Sequence, residues 1–264
     1  MKHTYPVTIT LVLLFFAAQI IGLLITREYI KGGELPLNIQ RPQIEENKSY
    51  LPIIFAVIVS TVIALILIKF RSVKIWKLWF FFSIFICLTI AFSAFISQII
   101  AVVLSLILAL LKIFKRNVIT YNIPELFVYG GIAGLFVPIL GIFSIFVLLI
   151  LISIYDMIAV WKTKHMVKLA KFQSESNIFA GLYIPYKKNR EAILGGGDIG
   201  FPLLFAGVIL KEFNFTSAII VSIITTISLF VLFMYAKKNK FYPAMPFLSA
   251  GCFIGFLVVK LFLH

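Results

Sequence analysis

The sequence predicts an all-α polytopic membrane protein with nine transmembrane helices, and three observations carry this prediction. Of the 264 residues, 62% are hydrophobic and 13% are charged, and the mean hydropathy is +1.09, whereas soluble domains have about 25% charged residues. The apolar residues are grouped into nine runs, most of them close to the roughly 17–25 residues that a spanning helix needs. Basic residues are abundant in every second loop, as the positive-inside rule requires.

The nine predicted spans follow one another with short connections. The first begins close to the N-terminus; it has no small-residue cleavage site, so we interpret it as a retained span rather than a signal peptide. The long uncharged run that begins at Leu78 is divided near Ser97 and Gln98. The next long run is divided at Pro138–Gly141, a natural turn, which makes the fifth span short. In order, the spans cover residues 7–25, 51–68, 78–95, 98–113, 126–138, 139–160, 193–210, 215–235 and 243–263.

The distribution of charge predicts the orientation of the bundle. With the N-terminus in the cytoplasm, 18 of the 24 basic residues lie on the cytoplasmic side and the C-terminus is external. We expect one integrated bundle with an N-terminal part (1–161), a basic cytoplasmic loop (162–191) and a C-terminal part (192–264). The protein is therefore predicted to be an integral multi-pass membrane protein, in the cell membrane if its source is prokaryotic.

The net charge of +14 does not indicate a nucleic-acid-binding face, because the basic residues are dispersed between apolar runs. Cys87 and Cys252 both lie in apolar runs without neighbouring cysteine or histidine motifs, so we interpret them as packing residues. An HExxH zinc-protease motif is absent from the sequence. We expect no metal and no cofactor, and the lipid bilayer as the surroundings.

Two aspartates are the candidate catalytic residues. The eight glutamates fall in or beside predicted loops, whereas the only two aspartates, Asp156 and Asp198, lie inside predicted spans. A charged residue at the centre of a membrane helix costs at least about 2.5–3.5 kcal/mol, so intramembrane carboxylates indicate function. Asp156 lies about 7 Å, and Asp198 about 10 Å, from the predicted cytoplasmic ends of consecutive antiparallel helices.

A facing pair of carboxylates can share one proton and titrate as a unit. One carboxylate can then deprotonate a water molecule while its protonated partner polarises a carbonyl group. This is the peptide hydrolysis of an aspartic protease, and it requires neither a metal nor a nucleophilic side chain.

The residues around Asp198 are consistent with a site that a peptide backbone can approach. Gly195, Gly196 and Gly197 precede Asp198 and present no side chains, although three glycines can also simply mark a helix start. Pro202 removes the N–H that would pair with the Asp198 carbonyl, which we expect to weaken the helix there, although a tolerated kink is the alternative.

The stretch Pro243-Ala244-Met245-Pro246 opens the last span. The two prolines predict irregular backbone, which at membrane depth survives only where it is buried or lines a wet cavity. A proline in the first turn of an ordinary helix is the alternative interpretation.

Together these motifs resemble those of the presenilin and signal peptide peptidase family of intramembrane aspartyl proteases. Tyr155-Asp156, Gly195-Gly196-Gly197-Asp198 and Pro243-Ala244-Met245 look like the YD, GxGD and PAL motifs of that family, with Met245 in place of leucine. The pattern looks closer to the signal peptide peptidase branch, or to a microbial, archaeal-like presenilin homologue, than to animal presenilin. The resemblance implies catalysis by Asp156 and Asp198, an active-site role for Tyr155, Gly195, Gly197 and Pro202, and substrate positioning by Pro243, Ala244 and Met245.

The expected function is hydrolysis of peptide bonds in transmembrane-helix substrates. A proton- or ion-coupled transporter could use the same carboxylates, but usually has inverted repeats, which we do not find. A prepilin-type peptidase also has a GxGD motif but lacks the PAL-like segment. The sequence leaves open a homo-oligomer, accessory subunits and the role of the apolar stretch 172–186, which could be a lid, an entrance segment or an interfacial segment.

Overall fold

The structure is a computed structural model that describes residues 4–70, 72–115, 117–166, 169, 172, 179–187, 190–236 and 242–263. Within these ranges the chain forms nine long helices and one β-hairpin. The helices are α1 (Tyr5–Ile30), α2 (Tyr50–Lys69), α3 (Val73–Ser93), α4 (Gln98–Phe114), α5 (Val118–Phe136), α6 (Ile142–Met157), α7 (Gly196–Glu212), α8 (Phe215–Tyr235) and α9 (Met245–Phe262).

These helices confirm the prediction of a polytopic helical membrane protein. Seven of the described helical segments are long and apolar enough to cross a bilayer. The other two helices, α4 and α7, have 17 residues each, or about 26 Å at 1.5 Å per residue, close to the roughly 30 Å of a hydrocarbon core. The orientation of the termini stays a prediction.

The expectation of a short fifth span is wrong. Helix α5 begins at Val118 rather than near residue 126, and it continues through Pro124, which is buried inside it. The turn before α6 is where it was predicted, since a short 3₁₀ segment at Val137–Ile139 ends the region and Gly141 is the N-cap of α6. The longer α5 has a chemical consequence, because it brings Glu125 into a membrane helix.

Helix α7 lies at the centre of the bundle. Most of its residues beyond the first turn are buried, including Leu203, Phe205 and Val208, and α1, α5, α6, α8 and α9 all pack against it. The peripheral helix α2 is apolar but mostly exposed, with Phe55 and Ile66 on its outer face, as expected for a surface that contacts lipid. The first turn of α7, which follows the predicted loop, thus belongs to a helix that packs against five others.

A β-hairpin that the sequence analysis did not predict leads into α7. Strands β1 (Gly181–Lys187) and β2 (Arg190–Gly195) are antiparallel, with Tyr183 opposite Ile193. Leu182, Ala192 and Leu194 are buried, so one face of the hairpin belongs to the core. The end of the apolar stretch 172–186 is therefore part of a small sheet, while residues 173–178 and Lys171 lie outside the described residues.

Candidate active site

Asp156 lies in the last turn of α6, where it is 9% exposed. Its Oδ2 accepts a hydrogen bond from the backbone N–H of Met245 at 3.1 Å, and the backbone N–H of Ala244 lies near the same carboxyl group. Directly after Asp156 the helix changes to a π-helical turn at Ile158–Lys162, a local widening that is frequent at functional sites. The first residues of α9 therefore hold the Asp156 carboxylate.

Asp198 is the third residue of α7 and is partly exposed. Its carboxyl group reaches back towards the backbone N–H of Gly195, the N-cap residue. The arrangement resembles the acidic half of a capping box, in which an N3 carboxylate faces the N-cap donor. A Cβ atom at Gly195 would lie 3.2 Å from Asp198 Oδ2, so a larger residue there would crowd the carboxylate.

The two aspartates lie within electrostatic range, because the charge of Asp156 acts on the Asp198 carboxyl group. Helices α6, α7 and α9 pack against one another. A hydrogen bond of 2.8 Å between Ser153 and Ser249 joins α6 to α9 one turn from Asp156. The fold thus brings together the two carboxylates and the segment at residues 243–245, which are far apart in sequence.

The two prolines at the start of α9 have different positions. Pro243 precedes the helix in non-helical backbone, whereas Pro246 is in its first turn. The prediction of irregular backbone is therefore correct for Pro243, and the alternative, a proline in the first turn of a helix, is correct for Pro246. Met245 is buried with 3% exposure, and Ala244 is the N-cap residue.

Pro202 does not interrupt α7, which is helical from Gly196 to Glu212. The proline still removes the donor for the Asp198 carbonyl. At the adjacent carbonyl, that of Ile199, the buried side chain of Gln19 on α1 donates from Nε2 at 3.0 Å. Sequence reasoning missed Gln19, because a single amide in an apolar span gives no signal of a partner 180 positions away.

Tyr155 points away from the carboxylates. Its hydroxyl group forms hydrogen bonds with Thr61 Oγ1 at 2.9 Å and His165 Nε2 at 3.1 Å, as expected for a residue about 100° around the helix from Asp156. Burial lowers the pKa of His165, which favours the neutral ring in this contact. The contacts connect Tyr155 to α2 rather than to the aspartates.

Of the three glycines, Gly196 has the strictest steric requirement. A Cβ atom there would lie 2.8 Å from the Tyr129 hydroxyl, whereas at Gly197 it would meet only the Phe201 ring at an ordinary 3.6 Å. Gly197 is exposed. The prediction emphasised Gly195 and Gly197, and the packing adds Gly196.

A third carboxylate inside the helical bundle was missed altogether. Glu125 on α5 is 1% exposed, forms an ion pair of 2.5 Å with Lys112 of α4 and accepts a hydrogen bond from Tyr129. The expectation that glutamates fall in or beside loops is wrong here, because the fifth span was started one residue after Glu125. In the described part of the chain, no group of three or more histidine, cysteine or acidic residues could hold a metal ion.

The described part of the chain is thus a helical bundle with two aspartates near one end. Two solved structures of a presenilin family intramembrane aspartate protease are similar to it, both at 18% sequence identity. One has a TM-score of 0.69 and covers 95% of this chain and 97% of its own. The other has a TM-score of 0.67, with 95% and 96% covered.

The family follows from the sequence itself. The family model for signal-peptide peptidase and presenilin aspartyl proteases matches residues 12–264, so the chain belongs to that family. A significant match to an individual curated protein was not found.

Proposed function

We propose that this protein is an intramembrane aspartic endopeptidase that cuts transmembrane-helix substrates with Asp156 and Asp198. The observation that carries the proposal is the arrangement of these carboxylates, which interact with each other while backbone N–H groups hold each of them. A pair held in this way is oriented for acid–base chemistry before substrate arrives.

The number of donors distinguishes the two roles. Asp156 accepts a hydrogen bond of 3.1 Å from the Met245 N–H and has the Ala244 N–H nearby, whereas Asp198 has only the Gly195 N–H nearby, and hydrogen bonds to a carboxylate favour its charged form. We therefore assign Asp156 as the general base and Asp198 as the residue that holds the shared proton.

The reaction then proceeds in two steps. Asp156 takes a proton from water as the water oxygen bonds to the carbonyl carbon, and Asp198 gives its proton to the carbonyl oxygen, which forms a neutral gem-diol. Asp156 next protonates the amide nitrogen as the C–N bond breaks, and Asp198 recovers a proton from a gem-diol hydroxyl group. Both aspartates end in their starting protonation states.

The β-hairpin offers a route for an extended substrate. Both backbone groups of Tyr183 are hydrogen-bonded to Asn122 of α5, so Tyr183 and the opposite Ile193 are a pair without mutual backbone hydrogen bonds. In an antiparallel ladder, the N–H and C=O of Ile193 then face outward on the free side of β2. Outside the ladder itself, no hydrogen bond to these two groups is found among the described residues.

The free edge of β2 leads to Asp198. Gly195 lies two residues after Ile193 on β2, so its backbone N–H points to the same free edge of the strand. This N–H lies near the Asp198 carboxyl group. A peptide that adds to β2 as a third strand would reach the carboxylates at the end of the strand. This supports our hypothesis that the substrate unwinds beside the hairpin and the backbone near Pro243.

Cleavage of a single-span model substrate by the purified protein tests this proposal. We expect Asp156→Asn and Asp198→Asn each to abolish cleavage, while Glu28→Gln, which changes an exposed carboxylate, leaves it unchanged. Appreciable turnover by either aspartate variant would contradict the assignment. A folded wild type that never cleaves but carries a proton gradient-driven flux would favour the transporter alternative.

A further inference from the structure

One face of α5 carries three polar side chains in its first three turns. Asn122, Glu125 and Tyr129 are separated by three and four positions, so they follow one stripe of the helix over about 10 Å. All three are buried, with exposures of 5%, 1% and 5%. We call these three residues the α5 ladder, and both parts of the candidate site rest on it.

The N-terminal end of the ladder, at Asn122, contacts the hairpin. Asn122 donates from Nδ2 to the carbonyl of Tyr183 at 2.7 Å and accepts from the N–H of Tyr183 at 2.9 Å. The amide thereby makes the two hydrogen bonds that a neighbouring strand would make, and it fixes β1 at one residue. Next to it, the Tyr121 hydroxyl accepts from the N–H of Phe179 at 2.7 Å.

The C-terminal end of the ladder, at Tyr129, contacts the first turn of α7. The Tyr129 hydroxyl donates to Glu125, and the same side chain lies against Gly196, where even a methyl group would be 2.8 Å from the hydroxyl oxygen. Gly196 is two residues before Asp198. The position of the Asp198 turn is thus set by contact with Tyr129.

A buried ion pair locks the middle of the ladder. Lys112 and Glu125 are 2.5 Å apart, with side chains 0% and 2% exposed. Lys112 also donates to the carbonyl of Tyr121 at 3.1 Å, and its ammonium lies 3.9 Å from the centre of the Tyr121 ring. A buried ion pair contributes little net stability but requires a specific geometry. Its presence therefore indicates that it holds α5 in a defined position relative to α4.

We propose that the α5 ladder determines which peptide bond of a bound substrate is cut. The inference rests on the proposed proteolytic function and on strand addition to β2. Because β2 runs directly into the Asp198 turn at Gly195–Gly196, the position of a strand bound on β2 relative to the Asp198 carboxyl group depends on how the hairpin and this turn are held. A strand advances by about 3.3 Å per residue, so displacements of this size change the bond that is presented. Asn122 holds the hairpin and Tyr129 holds the Asp198 turn, and Glu125, between them on the same helix, accepts from Tyr129 and pairs with Lys112.

A merely structural ladder would affect how much protein folds, but not where the substrate is cut. The test is therefore the distribution of cleavage sites in one single-span peptide, measured by mass spectrometry of the products at matched turnover. Asn122→Leu removes both bonds to Tyr183 at nearly constant volume, and Tyr129→Phe retains the ring but releases it from Glu125. Thr89→Val is the matched control, since Thr89 is buried on α3 and donates to the Phe85 carbonyl away from the site.

We expect Asn122→Leu to move or spread the main cleavage site by at least one residue, and Tyr129→Phe to do so less strongly. Thr89→Val should leave the distribution unchanged. Hydrogen exchange at the Tyr183 amide should be protected in the wild type and lose protection in Asn122→Leu. If that variant does not fold, Tyr129→Phe decides the question alone.

Unchanged cleavage sites in the folded variants would overturn the inference, even with faster exchange at Tyr183. The proposed function would survive that result, provided that the wild type cleaves and Asp198→Asn does not. Failure of the wild type itself to cleave the peptide would refute the proposed function instead, so the two failures are distinguishable.

Discussion

The backbone N–H of Met245 donates to Oδ2 of Asp156 at 3.1 Å, across 89 positions of sequence. This bond is available because α9 begins at Met245, so that its first N–H groups have no intrahelical acceptor. The helix start therefore supplies a backbone donor for a carboxylate. In this family member, the PAL-like segment acts on one aspartate through its backbone rather than through the Met245 side chain.

Pro246→Ala should slow cleavage by about tenfold or more, because small displacements of reacting groups are costly. Pro246 lies in the first turn of α9, and its ring would clash with the carbonyl four residues earlier if the helix extended backwards. With alanine there, α9 can extend, and the N–H groups of Ala244 and Met245 can pair within the helix instead of facing Asp156. Cleavage rates and thermal melting of the purified protein give the measurement. Pro243→Ala is the control.

From the sequence the two prolines were expected to act alike, as sources of irregular backbone. Pro243 lies before α9 and would fall in the first turn of an extended helix, where proline is tolerated, so its replacement alone should leave activity close to that of the wild type. Equal losses in the two variants would contradict the donor role of this helix start.

The buried ion pair predicts a non-additive effect on stability. Glu125→Gln or Lys112→Met alone should lower the free energy of unfolding by about 3–5 kcal/mol, because each leaves an uncompensated buried charge. The double variant should recover most of this loss. Unfolding in mixed detergent micelles measures the differences, with Glu45→Gln as control, whose exposed pair with Lys48 is worth at most about 1 kcal/mol. Additive losses in the double variant would refute the pairing.

Hydropathy and charge were sufficient to predict most of the helices and to locate both aspartates in two of them, because a bilayer imposes length and polarity on every span. They were insufficient where a tertiary contact offsets an unfavourable local signal. Glu125 looked like a loop residue because its neutralising partner, Lys112, lies on another helix. Strand β1 looked like the end of an apolar insert and the last residues of β2 looked like the start of the seventh span, and the contact of β1 with Asn122 on α5 gives no signal in the sequence.

Gly196 and Gly197 should differ in their tolerance of a methyl group. Gly196→Ala forces the added carbon against Tyr129 and should cost about 1–3 kcal/mol of stability together with most of the activity. Gly197→Ala meets only ordinary contacts and should leave stability unchanged. Melting temperatures and cleavage rates of both variants give the comparison, and Gly196→Ala/Tyr129→Phe should recover part of the loss. Equal stability of the two single variants would argue against the contact.

The orientation of the bundle can be tested by cysteine labelling. In a variant without Cys87 and Cys252, a cysteine at Lys171 should react only with reagent from the cytoplasmic side, and one at His264 only from the external side. Both positions lie outside the described residues, so the expectation rests on the charge distribution alone. Labelling of both from the same side would reverse one end of the proposed topology.

The helical stability of a substrate should limit its cleavage. A transmembrane helix keeps each carbonyl in an i to i−4 hydrogen bond, so water cannot attack until a segment is unwound. In a bilayer the released backbone groups need new partners, and in the proposed complex the outward groups of Ile193 on β2 would be such partners. The enzyme can supply these bonds only after the substrate helix has opened.

Glycine raises the free energy of a helix by about 1 kcal/mol per residue relative to alanine, which corresponds to roughly a fivefold larger open population. Two glycines near the scissile bond should therefore accelerate cleavage about 25-fold where unwinding limits the rate, whereas the same two glycines a few turns away should not. The measurement compares initial cleavage rates of these peptides with an all-leucine parent in one lipid composition. Equal rates for all three peptides would show that substrate unwinding is not part of the rate-limiting barrier, while Asp156 and Asp198 would keep their proposed roles.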